Sequence, residues 1–407
     1  MQKFRSLFII PTLLAAALAC ANPLAGNPAG NVETIVAGTL RALTAPAPDS
    51  NTVLPGSSSA LLPHSMYFLN NDSAGLVQVY RLEKDGSTVV QVTFEPAKVT
   101  GYDVSPVDGS VAYVSNNQLL NVRADGSNRS MLVDGGPVDS NNPFLNSLSQ
   151  PVWSPNGQTI AFAYHGLNFY SIISGQSNGV MKDEILDRGG GLLVPTALYS
   201  PESYSADGTR LVITISHFEG ATAAIYYPNE SRLVNLKNPA GEWICCGRTE
   251  WNADGSAFYA ASSTSGMSIA GLWRVDAATG NITTLLSGAY NTDPADLAEE
   301  PFPAPDGQLY FFFASMPNAG HEDFPDRAPL QLVRAALDGV TNRAVLRPET
   351  FDLLNEALWA PDASFVITEM APSHDIYQGG AAELVYADGQ KAVLPLVPFA
   401  MEMKWGP

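Results

Sequence analysis

The sequence predicts an all-β chain folded as a seven-bladed β-propeller, on three observations. One short phrase recurs with a period of about 50 residues, Asp-Gly turns separate strand-sized apolar runs, and the final repeat stops after a single strand.

The phrase is an aromatic or apolar residue, a small residue, Pro or Ala, Asp or Asn, Gly, and then an apolar strand. It begins as Val104-Ser105-Pro106-Val107-Asp108-Gly109 and returns as Trp153-Ser154-Pro155-Asn156-Gly157, Tyr204-Ser205-Ala206-Asp207-Gly208 and Trp251-Asn252-Ala253-Asp254-Gly255. Phe302-Pro303-Ala304-Pro305-Asp306-Gly307 and Trp359-Ala360-Pro361-Asp362 follow, and Trp405-Gly406-Pro407 is the same phrase cut short. Proline presets φ and glycine takes the positive φ, so the phrase reads as a tight turn between two strands. A second turn recurs at Asp85-Gly86, Asp125-Gly126, Asp338-Gly339 and Asp388-Gly389, each between short runs, as hairpins require.

Residues 399–405 supply one innermost strand, whereas 65–93 supply three strands with no inner partner. One plus three completes a blade, closes the ring and removes its free edges. Blade one is this composite, and blades two to seven follow in chain order.

Ahead of the propeller (61–407), residues 1–19 read as an export signal. Lys3 and Arg5 precede an apolar run from Leu7 to Ala19 that is too short to span a bilayer. Ala17-Leu18-Ala19-Cys20 resembles a bacterial lipobox, which makes Cys20 the lipidation site; ordinary cleavage after Ala19 or Ala21, giving a secreted protein, is the alternative. Residues 20–60 are rich in Ala, Pro, Gly, Ser and Asn and read as a tether. Within it Val32, Ile35, Val36, Leu40 and Leu43 have the spacing of a short amphipathic helix.

Of 407 residues, 40 are acidic and 21 basic, a formal net charge of −19. That excess argues against binding nucleic acid or an anionic membrane surface, leaving an N-terminal lipid as the membrane contact. The hydrophobic fraction of 45% supplies a buried core and excludes wholesale disorder.

Trp153-Ser154-Pro155-Asn156-Gly157 and the stretch from Leu120 to Arg129 (LNVRADGSNR) resemble TolB-like (WD-like) propeller repeats, as does Asp375-Ile376-Tyr377 followed by Asp388-Gly389. The same repeat occurs in the propellers of prolyl-oligopeptidase-type enzymes. The resemblance covers about residues 65–407. It implies a scaffold for protein or ligand binding and transfers no catalytic chemistry. The TolB propeller has six blades where seven are counted here, and neither its companion α/β domain nor a hydrolase domain is expected in this chain.

Four residues before the small turn residue, the innermost strands carry Gly101, Gln150, Pro201, Arg248, Glu300, Glu356 and Glu402. Blades six, seven and one are consecutive, so three carboxylates are expected to converge at the channel mouth, with Arg248 on the preceding blade. Loops add Asp293, Asp296, Glu299, Glu322, Asp323 and Asp326. Such a cluster suits calcium or the cationic group of a ligand, or it holds neighbouring strands together. Of five histidines, His321 and His374-Asp375 lie on loops of adjacent blades, and none has the spacing of a zinc motif. Cys245-Cys246 forms either a vicinal disulfide or two thiols packed near Trp243. Gly175-Gln176-Ser177-Asn178-Gly179 has the nucleophile-elbow spacing but falls where blade three should turn, which makes it a chance match.

The resulting expectation is a non-enzymatic binding or protein-interaction module at the cell envelope, whose partner is an envelope protein or a small extracellular ligand at the channel mouth. Its candidate contacts are Glu300, Glu356, Glu402, Arg248, Gln150, His321, His374 and Asp375. No cofactor is required, and calcium is the ion the site suits. The alternative is an extracytoplasmic metal-assisted enzyme, lactonase- or lyase-like, built on the same carboxylates.

Overall fold

A computed structural model describes residues 60–218, 220–237, 249–263, 270–288, 292–317 and 327–407. The expected signal peptide and tether helix, with Cys20, lie outside the described residues, as do Cys245-Cys246, Arg248 and His321 with Glu322, Asp323 and Asp326. Residues from Ser58 to Pro407 form one compact unit.

Seven antiparallel sheets follow one another along the chain. Blade one joins Lys404–Trp405 to Met66–Asn71, Val77–Leu82 and Val89–Gln91, which is the one-plus-three closure. The closing strand pairs Met66 with Trp405 and Tyr67 with Lys404. Blade two begins at Val99–Val104, three at Ser149–Trp153, four at Leu193–Tyr204, five at Glu250–Trp251, six at Ala295–Pro303 and seven at Leu354–Trp359. Blade four carries a fifth strand, Glu184–Asp187, paired to the first residues of Leu193–Tyr204. Nothing in its largely exposed sequence announces it. The one helical turn among the described residues is Pro143–Leu145.

The core is divided among the blade interfaces. Seven apolar clusters are present, one for each neighbouring pair of blades; Tyr67, Leu69 and Val79 meet Tyr102, Val111 and Tyr113 between blades one and two, for example. Each sheet is therefore covered on both faces. Second strands are correspondingly apolar in runs rather than alternating: every residue of Val111–Ser115 and of Ala257–Ser262 is buried.

In blades five, seven and one, the tryptophan of the recurring phrase fastens its blade to the one before it. Trp359 Nε1 donates to the Glu300 carbonyl at 2.9 Å, Trp405 Nε1 to the Trp359 carbonyl at 2.7 Å, and Trp251 Nε1 to the Ser203 carbonyl at 3.3 Å. Trp359 also stacks on Phe302 with ring centroids 5.7 Å apart. These indoles bury their bulk and satisfy their one donor in the same act.

Candidate functional site

The innermost strands carry bulges at or beside the repeat position that bears the expected site residues. Pairing shifts register between Val99 and Gly101, Ser149 and Val152, Pro201 and Ser203, Glu299 and Phe302, and Leu354 and Glu356. A bulge leaves one residue out of the ladder and re-aims its side chain. Gln150, Glu300 and Glu402 all adopt positive φ, at 50°, 50° and 55°, a conformation that residues with a Cβ rarely take.

The structure brings Glu356 and Glu402 together and adds a carboxyl that sequence reasoning missed. Glu356 Oε2 accepts the backbone N–H of Met403 at 3.0 Å, so it ties blade seven to the closing strand. Across the ladder from Glu356 stands Glu369, 1% exposed. Burial, reinforced by the Glu356 charge, pushes the Glu369 carboxyl up to about 9, so it is protonated at neutral pH. Glu402 is reached by solvent yet crowded by protein; that burial and the Glu356 charge raise its pKa against the opposing pull of Lys404. Glu300 is 8% exposed, and its backbone carbonyl is the acceptor for Trp359. Of the three carboxylates, Glu356 ties neighbouring strands through its side chain, while Glu300 does so through its backbone carbonyl.

The other acidic candidates have local partners. Glu299 Oε1 accepts from the backbone N–H and hydroxyl of Ser263, and burial raises its pKa. Asp296 accepts from the Ser315 hydroxyl at 2.8 Å. His374 faces Asp352 at 4.0 Å on the surface, and Asp375 accepts from the Ser373 hydroxyl. Among the described residues, no group of three or more His, Cys, Asp or Glu is placed to hold a metal ion. Ser177 lies on an exposed hairpin strand, Gln176–Gly179, with no helix after it, so its elbow-like spacing is accidental.

A cavity of about 490 Å³ lies between the innermost strands at their other ends, beside the recurring turns. It is lined from blades one, two, three, four, five and seven, by Trp153, Tyr204, Trp251, Leu358 and Trp405 among apolar groups. Its charged lining is Asp103, Glu202, Glu250 and Lys404. Lys404 Nζ pairs with Asp103 Oδ1 at 3.0 Å, and Asp103 Oδ2 accepts the Trp153 backbone N–H at 2.6 Å. Glu202 is the residue pushed out of blade four's ladder, and its carboxylate accepts from the Thr214 hydroxyl. Burial raises the Glu202 pKa against that hydroxyl and the more distant Lys404. The repeat alignment placed Pro201 at this position, so the bulge turned attention to the wrong residue by one.

No family model and no curated protein matches the chain. Solved structures do match. An oligogalacturonate lyase in complex with manganese superposes with a TM-score of 0.52 at 10% identity, covering 82% of this chain and 84% of that one. TolB from Acinetobacter baumannii gives 0.43 at 13% identity, covering 94% and 74%, and a putative TolB from Agrobacterium tumefaciens gives 0.39 at 17%, covering 74% and 95%. At these identities the likeness is one of fold. The fold is a seven-bladed β-propeller, and a fold by itself does not set the function.

Proposed function

We propose that this chain is a binding module exported to the cell envelope, anchored by a lipid on Cys20, which holds an envelope protein or a small extracellular ligand in its channel. The cavity between the innermost strands carries this reading: a concave space that mixes aromatic walls with charged groups has the form of a recognition site. The metal-assisted alternative needs Glu300, Glu356 and Glu402 as ligands. Among the described residues no group of three or more carboxylates or other ligands is placed to hold a metal, which weighs against it.

The test is a photo-cross-linking amino acid placed in cells at Ala206, on the cavity rim, and at Val345, exposed on an outer strand. Adducts from position 206 and not from 345 support a protein partner in the channel; equal labelling at both overturns the reading, and none at 206 removes the protein partner in favour of the small ligand. In the same cells, Cys20→Ala should move the protein from the membrane pellet to the soluble fraction.

A further inference from the structure

We propose that the channel recognises an organic cation, an ammonium or guanidinium group on an apolar stem, with Glu202 as its counter-ion. The inference rests on the binding reading above and names the chemistry of the ligand.

The charge balance of the cavity makes the argument. Among the described residues Lys404 is the one basic residue lining it, and Asp103 takes its charge at 3.0 Å. Both Asp103 oxygens are engaged, one by Lys404 and the other by the Trp153 N–H. Glu202 has no such partner. Among the described residues it forms no ion pair, and its hydrogen bond is a single neutral hydroxyl from Thr214. A carboxylate held off the ladder by a bulge lines the same space as Val104, Val152, Trp251 and Leu358, so it stands where a cation on an apolar stem would meet it. With Asp103, Glu202 and Glu250 against Lys404, the described lining is net negative, a field that draws a cation into the channel.

The class of cation follows from the donors. Calcium or magnesium takes six or more oxygens, and no group of three or more His, Cys, Asp or Glu placed to hold any metal is assembled among the described residues. A monovalent organic cation needs one carboxylate and apolar contact for its stem, and both are present. A space of about 490 Å³ accommodates a whole side chain or a small amine. The channel already accepts this chemistry internally, since the Lys404 ammonium lies 5.7 Å from the centre of the Tyr102 ring beside Asp103.

The experiment uses the full chain and two probes of nearly identical shape, Nα-acetyl-arginine methylamide and its uncharged isostere Nα-acetyl-citrulline methylamide. Binding is followed by the emission of the tryptophans that line the cavity, at fixed ionic strength. Saturable binding of the arginine probe, at least tenfold tighter than the citrulline probe, is expected. Glu202→Gln should weaken it at least tenfold, and Glu202→Asp, which keeps the charge, should restore most of it. Equal affinity for the two probes, no saturation, or an unaffected Glu202→Gln overturns the proposal. Should Glu202→Gln fail to fold, the comparison of the two probes on the wild-type chain decides alone. A cross-link at Ala206 with no discrimination between probes leaves the binding reading standing and removes the cation. Discrimination without a cross-linked protein assigns the site to a small free cation.

Discussion

Replacing Trp405 by alanine should open the ring at its weakest seam. The closing strand contributes only two paired residues, Lys404 and Trp405, so its attachment depends heavily on this indole. Trp405 donates to the Trp359 carbonyl at 2.7 Å and meets Phe365 edge-on at 6.4 Å. Truncating a fully buried tryptophan costs about 3–5 kcal/mol, and Trp405 is half-buried, so about 2 kcal/mol is the packing share. Losing the hydrogen bond adds about 1 kcal/mol, giving a total of about 3 kcal/mol. Trp405→Phe keeps most of the packing and loses the donor, and should cost about 1 kcal/mol. Urea unfolding of the full chain, followed by far-ultraviolet circular dichroism, measures both through the shift in midpoint at constant slope. A Trp405→Ala protein within about 1 kcal/mol of wild type would refute the view that this residue fastens the closure.

Three further outcomes follow from the buried carboxyls and the inner ring. Because Glu369 is held protonated to about pH 9, the unfolded chain releases its proton first as pH rises, so this group lowers stability progressively from about pH 4.5 upward; Glu369→Gln should flatten the fall in melting temperature between pH 5 and 8, and an equal loss at both pH values would contradict this. Glu95 behaves in the opposite sense: burial raises its pKa, but the two-point contact from Arg129 and the Tyr113 hydroxyl prevail and hold it below the usual carboxylate range. Its stabilisation is present above the unfolded pKa and lost as pH falls through the lower folded one, so Glu95→Gln should cost about 2 kcal/mol at pH 7, much less at pH 3, and a pH-independent loss would sink the assignment; the figure is set below that for a fully buried pair because Arg129 is half-exposed. Finally, a chelator should leave the melting temperature unchanged, whereas a drop reversed by calcium would reinstate the carboxylate ring as a metal site.

The parts of the fold that were legible in the sequence are those written in local turn chemistry. Gly86, Gly126, Gly339 and Gly389 all take positive φ, each after an aspartate whose carboxylate accepts from the turn, as at Asp85 with the N–H groups of Ser87 and Thr88. The closure was legible because the last phrase ends after one strand. The site was read less well, for a backbone reason. A bulge displaces one residue relative to the repeat without changing the repeat, so Pro201 occupied the expected position while Glu202 took the channel. Glu369 was hidden differently. It sits within the apolar strand Phe365–Met370, and only the cross-strand register shows that it faces Glu356.

The closure also constrains how the protein is made. Tyr102 in blade two hydrogen-bonds to the carbonyl of Glu402, a residue 300 positions later, and the strand Met66–Asn71 waits equally long for its inner neighbour. During synthesis or translocation, that strand presents unpaired N–H and C=O groups until the far end of the chain emerges. A nascent edge of this kind is a template for wrong pairing. Folding therefore finishes late whatever the speed of the individual blades, and a holding chaperone that shields residues 66–71 would act at the step where the molecule is most exposed.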